Sequence, residues 1–506
     1  ARAGANKEAA SNITEKIEKE LKDDATTKDI YKPAFELLKK GDTTGVFQLE
    51  SSGMRRYLKE LKPNEFEDII VMVSLYRPGP MELIPHYIKR KHGLEEVSYI
   101  HSKLEPILKS TYGIGVYQEQ MMRIARDLGG FTLAEADTLR KAIGKKIKEL
   151  LDAQKERLIL GMIKNGIDEK IAKEIWELFP PFAKYGFNRS HAACYALIAY
   201  QTAYLKAHYP IEFTTSLFNA DSGDTERASF LISEAKKMKI NVLAPDINQS
   251  FVSFTPENNN IRFGLLAIKN VGENVVNAVI DERQRGGPFQ SVEDFLNRVR
   301  HKDVNKKSME SLIKGGAFDS LSVERGKLLA NIDEILRFSQ NAKKDKAVSQ
   351  NNLFGAGFAI DHLNLKTSSP ASKKDKLLWE KELLGIYVSD HPLNEHVHKL
   401  TANGVKPIKE LLGNSDSNNK NGNGNGNCRI AGVITKIQKI VTKNGQPMIF
   451  ARLEDFNDTL EMIVFTDTLS RNPALWHENS ILIAEGRLSW RDSEPKFICQ
   501  GAIELI

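Results

Sequence analysis

Gly413 to Asn427 reads GNSDSNNKNGNGNGN, a low-complexity Gly/Asn tether that cannot bury a core. It divides the chain into two kinds of text. Before it, apolar residues recur mainly at three- to four-residue spacing, the period of amphipathic helices. After it they alternate, in RIAGVITKIQKIV, MIFARLED, LEMIVF, SILIAEGRLS and KFICQGAIEL, with turn residues between. Five such stretches within about eighty residues predict a small closed or nearly closed β-barrel. The expected fold is therefore multidomain, mainly α with a small all-β barrel at its end.

With 506 residues the chain exceeds one hydrophobic core, and roughly three or four domains are expected. Residues 1–250 read as one α-rich domain. Residues 251–355 form a smaller unit, in which a strand-like IRFGLLAI leads into helices broken by NVGEN and KGGAF. Residues 356–427 are a helical connector ending in the tether, and 428–506 hold the barrel. A net charge of +6 permits a polyanionic partner without requiring one. The three cysteines, Cys194, Cys428 and Cys499, lack the spacing of a disulfide framework or a zinc site. His396 and His398 stand two apart without further ligands, so no metal is assigned to them. No apolar run reaches the length of a membrane span, and no leader precedes the first helix. A cytoplasmic protein is expected, and the opening at Ala1 without Met suggests a fragment.

Two segments could grip an anion. Thr132 and Glu135 form a capping box for a helix with Leu133, Ala136, Leu139 and Ile143 on one stripe. Gly144 is expected to end it, leaving Arg140, Lys141, Lys145 and Lys146 at its basic end. Further on, FAKYGFNRSHAACYALIAYQTAYLKAHYP sets Tyr185, Asn188, Arg189 and His191 at the start of a helix. Ser190 is the expected N-cap, and the many alanines suggest a helix deep in the domain. Free amides and cations at such an end suit a phosphate, with the aromatic rings offering a stacking surface. A buried, satisfied polar cluster is the competing interpretation.

Two turns have the look of helix-hairpin-helix hairpins, which aim backbone amides at a DNA phosphate without reading bases. They are Lys269, Asn270 and Gly272 in IKNVGEN, and Lys314, Gly315 and Gly316 in LIKGGAF. Asn270 stands where a Gly is usual. Finally, QNNLF places Gln350, Leu353 and Phe354 in a polar segment, either folded onto its own domain or a short linear motif for a partner's groove.

Taken together, GVFQLESSGMRRYL, LYRPGPMELIPHYIKRKHG, TYGIGVYQEQMMRIARDLGGFTLAEADTLRKAIGKK, the Phe182–Pro210 stretch and EKELLGIYVSDHPL resemble the bacterial DNA polymerase III alpha subunit, a C-family replicative polymerase. The resemblance implies that residues 1–250 are fingers, 251–355 a helix-hairpin-helix domain holding duplex DNA and the sliding clamp, and 428–506 an OB-fold for single-stranded template. It implies DNA-directed DNA synthesis, with deoxynucleoside triphosphates and primer-template DNA as substrates and other replicase subunits as partners. Arg140, Lys141, Lys145, Lys146, Tyr185, Asn188, Arg189 and His191 would face the nucleotide. Gln350, Leu353 and Phe354 would dock in the clamp. Family members use Mg2+ held by palm aspartates, often in an Asp-x-Asp pair. No such pair occurs in this chain, so its palm is expected upstream and the chain alone is expected to be inactive. The alternative is a non-catalytic accessory protein that binds DNA and clamp.

Overall fold

The computed structural model describes residues 27–145, 148–180, 186–221, 225–349, 362–413, 426–442, 445–456, 458–491 and 494–505. The chain divides into two compact units, Ala1–Pro210 and Ile211–Ile506. Residues 211–250 belong with the second unit and not with the α-rich first one: Phe218, Leu231, Ile240 and Ile247 share a core with Phe263, Val276 and Phe295.

In the first unit the helix Arg189–His208 packs by its small residues. Ala192, Ala196, Ala199 and Ala203 are fully buried against the helices Thr27–Lys40 and Phe66–Leu75. Side chains this short let helix backbones approach closely, and Ile69, Met72 and Leu38 fill the space between. The opposite face behaves otherwise: Leu197 and Ile198 are 49% and 43% exposed, and Cys194 is exposed as well. The expectation of a helix deep in its domain is thus corrected to a helix with one buried face. A row of alanines at helical spacing forms the buried face, with Tyr200 packing beside it on Phe35 and Phe66.

A second core in this unit gathers Leu128, Leu139, Leu158, Trp176 and Phe179. Here Gly161 is needed for its size, since a Cβ there would lie 2.0 Å from the Gly129 carbonyl oxygen. The capping box is present, with the Thr132 N–H donating to Glu135 at 2.9 Å and the Glu135 N–H to Thr132 at 3.3 Å. Its helix, Leu133–Lys145, buries Ala136, Leu139 and Ala142, while Leu133 is 64% exposed. That corrects the expected stripe at its first residue: Ala136 and Leu139 are buried and Leu133 is not, while the Ile143 side chain lies outside the described residues. Gly144 is inside the helix and does not end it.

The second unit opens with helices Pro210–Ala220 and Thr225–Lys237 and a three-stranded sheet. In that sheet β3 (Asn260–Arg262) lies between β1 (Asn241–Leu243) and β2 (Thr255–Glu257), parallel to the first and antiparallel to the second. The strand expected over IRFGLLAI covers only its first residues. At Gly264 the chain presses on the Ser253–Phe254 backbone, the Leu265 and Leu266 N–H groups turn to Phe251 and Val252, and a 3-10 turn comes next. Helices Glu273–Gly286, Val292–Arg298, Lys306–Lys314, Arg325–Ala330, Ile332–Ser349 and Lys373–Leu384 complete this core.

The last segment is a closed barrel of five strands in the order β4-β5-β6-β8-β7. The strands are β4 (Cys428–Val441), β5 (Pro447–Glu454), β6 (Thr459–Val464), β7 (Ile481–Arg491) and β8 (Glu494–Glu504). Alternation drives this: Ile434, Leu453, Met462, Leu482 and Phe497 all point into one core. A parallel pairing of β6 with β8 closes the ring, and a bulge between Glu485 and Gly486 bends β7. The helix Thr466–Arg471 spans the gap between β6 and β7. Five strands in this order with a helix at that place make an OB-type barrel.

Candidate functional site

In the first unit, the segment before the Arg189–His208 helix is strapped to the start of the helix Gln118–Asp127. The Phe187 N–H donates to the Val116 carbonyl at 3.0 Å, and the Gln118 N–H to the Phe187 carbonyl at 2.9 Å. This short parallel bridge fixes where the helix begins. Asn188 is its N-cap, its side-chain oxygen accepting the His191 N–H at 2.8 Å. The expected cap, Ser190, instead lies within the first turn. Both are capping residue types, and the bridge decides between them by making 188 the last extended residue.

Two predicted residues meet the start of the Gln118–Asp127 helix, Arg140 by its guanidinium and Arg189 by its backbone. Arg140 donates to the Gln118 side-chain oxygen at 3.2 Å, and Gln118 in turn donates to the Gly186 carbonyl at 3.1 Å. At the next residue, Glu119 accepts the Arg189 backbone N–H through both carboxylate oxygens at 3.1 Å. The Arg189 guanidinium pairs with Glu67 at 2.6 Å and lies over the Tyr117 ring at 5.6 Å. Its pKa is raised chiefly by the hydrogen bond to Glu67. Tyr117, buried and donating to Glu67 at 2.9 Å, has a phenol pushed far up by desolvation and that neighbouring charge. Arg140 and Lys141 share Asp137, at 2.8 and 2.7 Å. The hydrogen bonds of both lower the Asp137 pKa.

Aromatic groups line the same helix end. His191 is exposed and packs edge-on to Phe187 at 5.4 Å, with Tyr195 at 4.6 Å on its other side. Arg77 lies over the Phe187 ring at 4.4 Å, and burial lowers its pKa. Sequence spacing pointed to none of Arg77, Gln118, Glu119 or Glu67. A Gln-Glu pair opening a helix was the one local signal available. Glu67 lies 122 residues from its arginine partner. Lys145 is helical, whereas Lys146 and Tyr185 lie outside the described residues, as do Gln350, Leu353 and Phe354.

The two hairpins of the second unit differ. In the first, Asn270 takes the left-handed conformation at φ 68°, which an Asn tolerates better than most residues and which explains its place at a glycine position. Lys269, Asn270 and Gly272 are exposed, and a Cβ on Gly272 would meet nothing. Among the described residues the N–H groups of Asn270, Gly272 and Asn274 find no acceptor. Beside this turn, Asn274 donates to Asp303 at 2.8 Å, which brings in the exposed Lys302, Lys306 and Lys307. The second turn is closed. Gly315 and Gly316 are buried, and their N–H groups cap their own helix at Ser311 and Ile313. Arg325 covers it, donating to the Lys314 carbonyl at 3.0 Å, to Asp319 at 2.6 Å and to Glu380 at 3.0 Å. Burial works against the charge of Arg325, but Asp319 and Glu380 outweigh it and hold its pKa above the ordinary value.

Among the described residues no group of three or more His, Cys, Asp or Glu could hold a metal ion. Nor is any described helix long and apolar enough to cross a membrane.

An α-rich unit, a helix-hairpin-helix segment and an OB-type barrel in series are modules of nucleic-acid-handling proteins. The bacterial DNA polymerase III alpha subunit finger domain matches residues 7–166, and a helix-hairpin-helix motif matches residues 239–328. The chain is 40% identical over 477 residues to DNA polymerase III subunit alpha of Borreliella burgdorferi, covering 93% of this chain and 41% of that one. With the Thermus aquaticus subunit it shares 41% over 438 residues, 85% of this chain and 35% of that one. With the Bacillus subtilis subunit it shares 41% over 469 residues, 92% of this chain and 41% of that one. The chain is thus a relative of the bacterial DNA polymerase III alpha subunits along most of its length. It spans about two-fifths of theirs.

Proposed function

We propose that this chain is the part of a replicative DNA polymerase that closes on incoming nucleotide and holds primer-template DNA, with the catalytic palm elsewhere in the full protein. The observation that carries this is that the Arg140 guanidinium and the Arg189 backbone N–H meet the adjacent residues Gln118 and Glu119 at one helix start. The Arg189 guanidinium, paired with Glu67 and lying over the Tyr117 ring, flanks the same helix start. Arg140, Lys141 and Arg189 would offset phosphate charge, and the His191–Phe187 rings would border the base. Divalent metal in the full enzyme would supply charge neutralisation at the reacting phosphate.

In the full polymerase, Arg140→Ala or Arg189→Ala should raise the nucleotide KM or lower kcat by about tenfold or more in steady-state incorporation. Wild-type kinetics in both variants would remove the nucleotide assignment. We read Gln350, Leu353 and Phe354 as the clamp-binding motif, so Leu353→Ala with Phe354→Ala should abolish capture by a sliding clamp. Duplex DNA contact falls to Lys269, Asn270 and Gly272 rather than to Lys314, Gly315 and Gly316. The barrel is assigned to single-stranded template, through the exposed outer surface of β5 and β6.

A further inference from the structure

The barrel carries a cavity of about 430 Å³ that none of these roles uses. It opens on the side built by β4, β7, β8 and the helical connection after β6, and no residue of β5 or β6 lines it. Its floor is apolar, formed by Trp476, Leu475 and Ile503; the last is 57% exposed, although its cross-strand partner Ile483 is buried. Gly501 leaves one wall bare, since a Cβ there would meet nothing. A hollow of this size lies in the range of specific small sites.

The rim has a charge to offer. Arg429 is neutralised by Glu485 at 3.0 Å. Arg471 is exposed, and among the described residues it donates only to the Gln500 carbonyl, at 3.2 Å, and meets no carboxylate. Trp476 is 5% exposed, and among the described residues its indole N–H has no acceptor. A buried donor without an acceptor is costly by about 1–3 kcal/mol. An unpaired guanidinium beside an exposed isoleucine and a bare backbone wall suits a carboxylate next to a bulky apolar side chain. It does not suit a nucleobase, because no exposed aromatic face lines the hollow to stack one.

We propose that this hollow is a docking site for a short acidic peptide segment, with its Asp or Glu on Arg471 and an adjacent aliphatic or aromatic side chain on Ile503. The segment lies in an extended conformation along Gly501. This site is independent of the nucleotide and DNA assignments.

The test is a random heptapeptide display library selected on the full chain, with the enriched peptides then synthesised and titrated. The proposal expects enriched sequences in which Asp or Glu adjoins Leu, Ile or Phe. Their affinity should fall at least about tenfold in both Arg471→Glu and Ile503→Asp, as expected for anchors of a small site. Both positions are exposed, so circular dichroism should show unchanged folding. Enriched peptides that bind both variants as well as wild type would overturn the proposal, as would the absence of any enrichment. So would an oligo-dT titration in which Arg471→Glu loses as much affinity as it does for peptide, because the site would then serve nucleic acid.

Discussion

The turn Ile268-Lys-Asn-Val-Gly272 and the turn Ile313-Lys-Gly-Gly-Ala317 begin with the same two residues and have opposite surroundings. Among the described residues the first leaves the Asn270 and Gly272 N–H groups without acceptors at the surface; the second spends its amides on its own helix and lies under Arg325. The difference teaches that the sequence of a hairpin fixes its bend and not its availability. Availability is set by the side chains that pack behind it. For the second turn that is a guanidinium held by Glu380, which is fully buried and accepts the Val388 and Ser389 N–H groups with its other oxygen. The EKELLGIYVSDHPL motif thus closes the second turn through its Glu380, and also meets the first, where the Lys269 N–H donates to the Leu383 carbonyl at 2.9 Å.

If that account holds, the largest effect comes from breaking the cover. Arg325→Ala leaves the Glu380 carboxylate buried without its cation, and should cost about 3–5 kcal/mol in equilibrium denaturation. A loss below about 1 kcal/mol would mean that Arg325 is not what shuts the second turn. Next in size is Gly316→Ala, where φ is 85° and a Cβ would lie 2.4 Å from the Arg325 guanidinium. A cost of about 1–3 kcal/mol is expected there. The matching change in the open turn, Gly272→Ala, meets no atom at φ −83° and should leave stability within about 0.5 kcal/mol of wild type. If the proposed phosphate contact is made there, it should still weaken binding to duplex DNA, because a methyl group would stand between backbone and phosphate.

Much of this organisation was legible in the sequence. The five barrel strands followed from alternation, which a half-buried strand imposes residue by residue. The capping box at Thr132 followed from an equally local rule, whereas the small residues from Ala192 to Ala203 suggested a helix buried all round and bury only one face. The features that were not legible depended on partners far along the chain. Ser190 and Asn188 are both capping types, and only the bridge from Phe187 to Val116 chooses between them. Nothing near Arg189 announces Glu67, and nothing near Gly316 announces that Arg325 will fold over it. Leu133 fits a helical stripe and is nonetheless exposed, because the periodic pattern does not say where the neighbouring helix stops.

The most direct test is the salt dependence of primed-duplex binding by the chain carrying Lys269→Ala or Lys314→Ala. Each phosphate contact adds about 0.9 to the slope of log K against log salt. Lys269 is exposed on the open turn, whereas Lys314 lies over the Trp379 ring at 5.9 Å on the closed one. The account predicts that Lys269→Ala lowers the slope by about 1 and that Lys314→Ala leaves it unchanged. The reverse pattern, or equal losses in both, would contradict it.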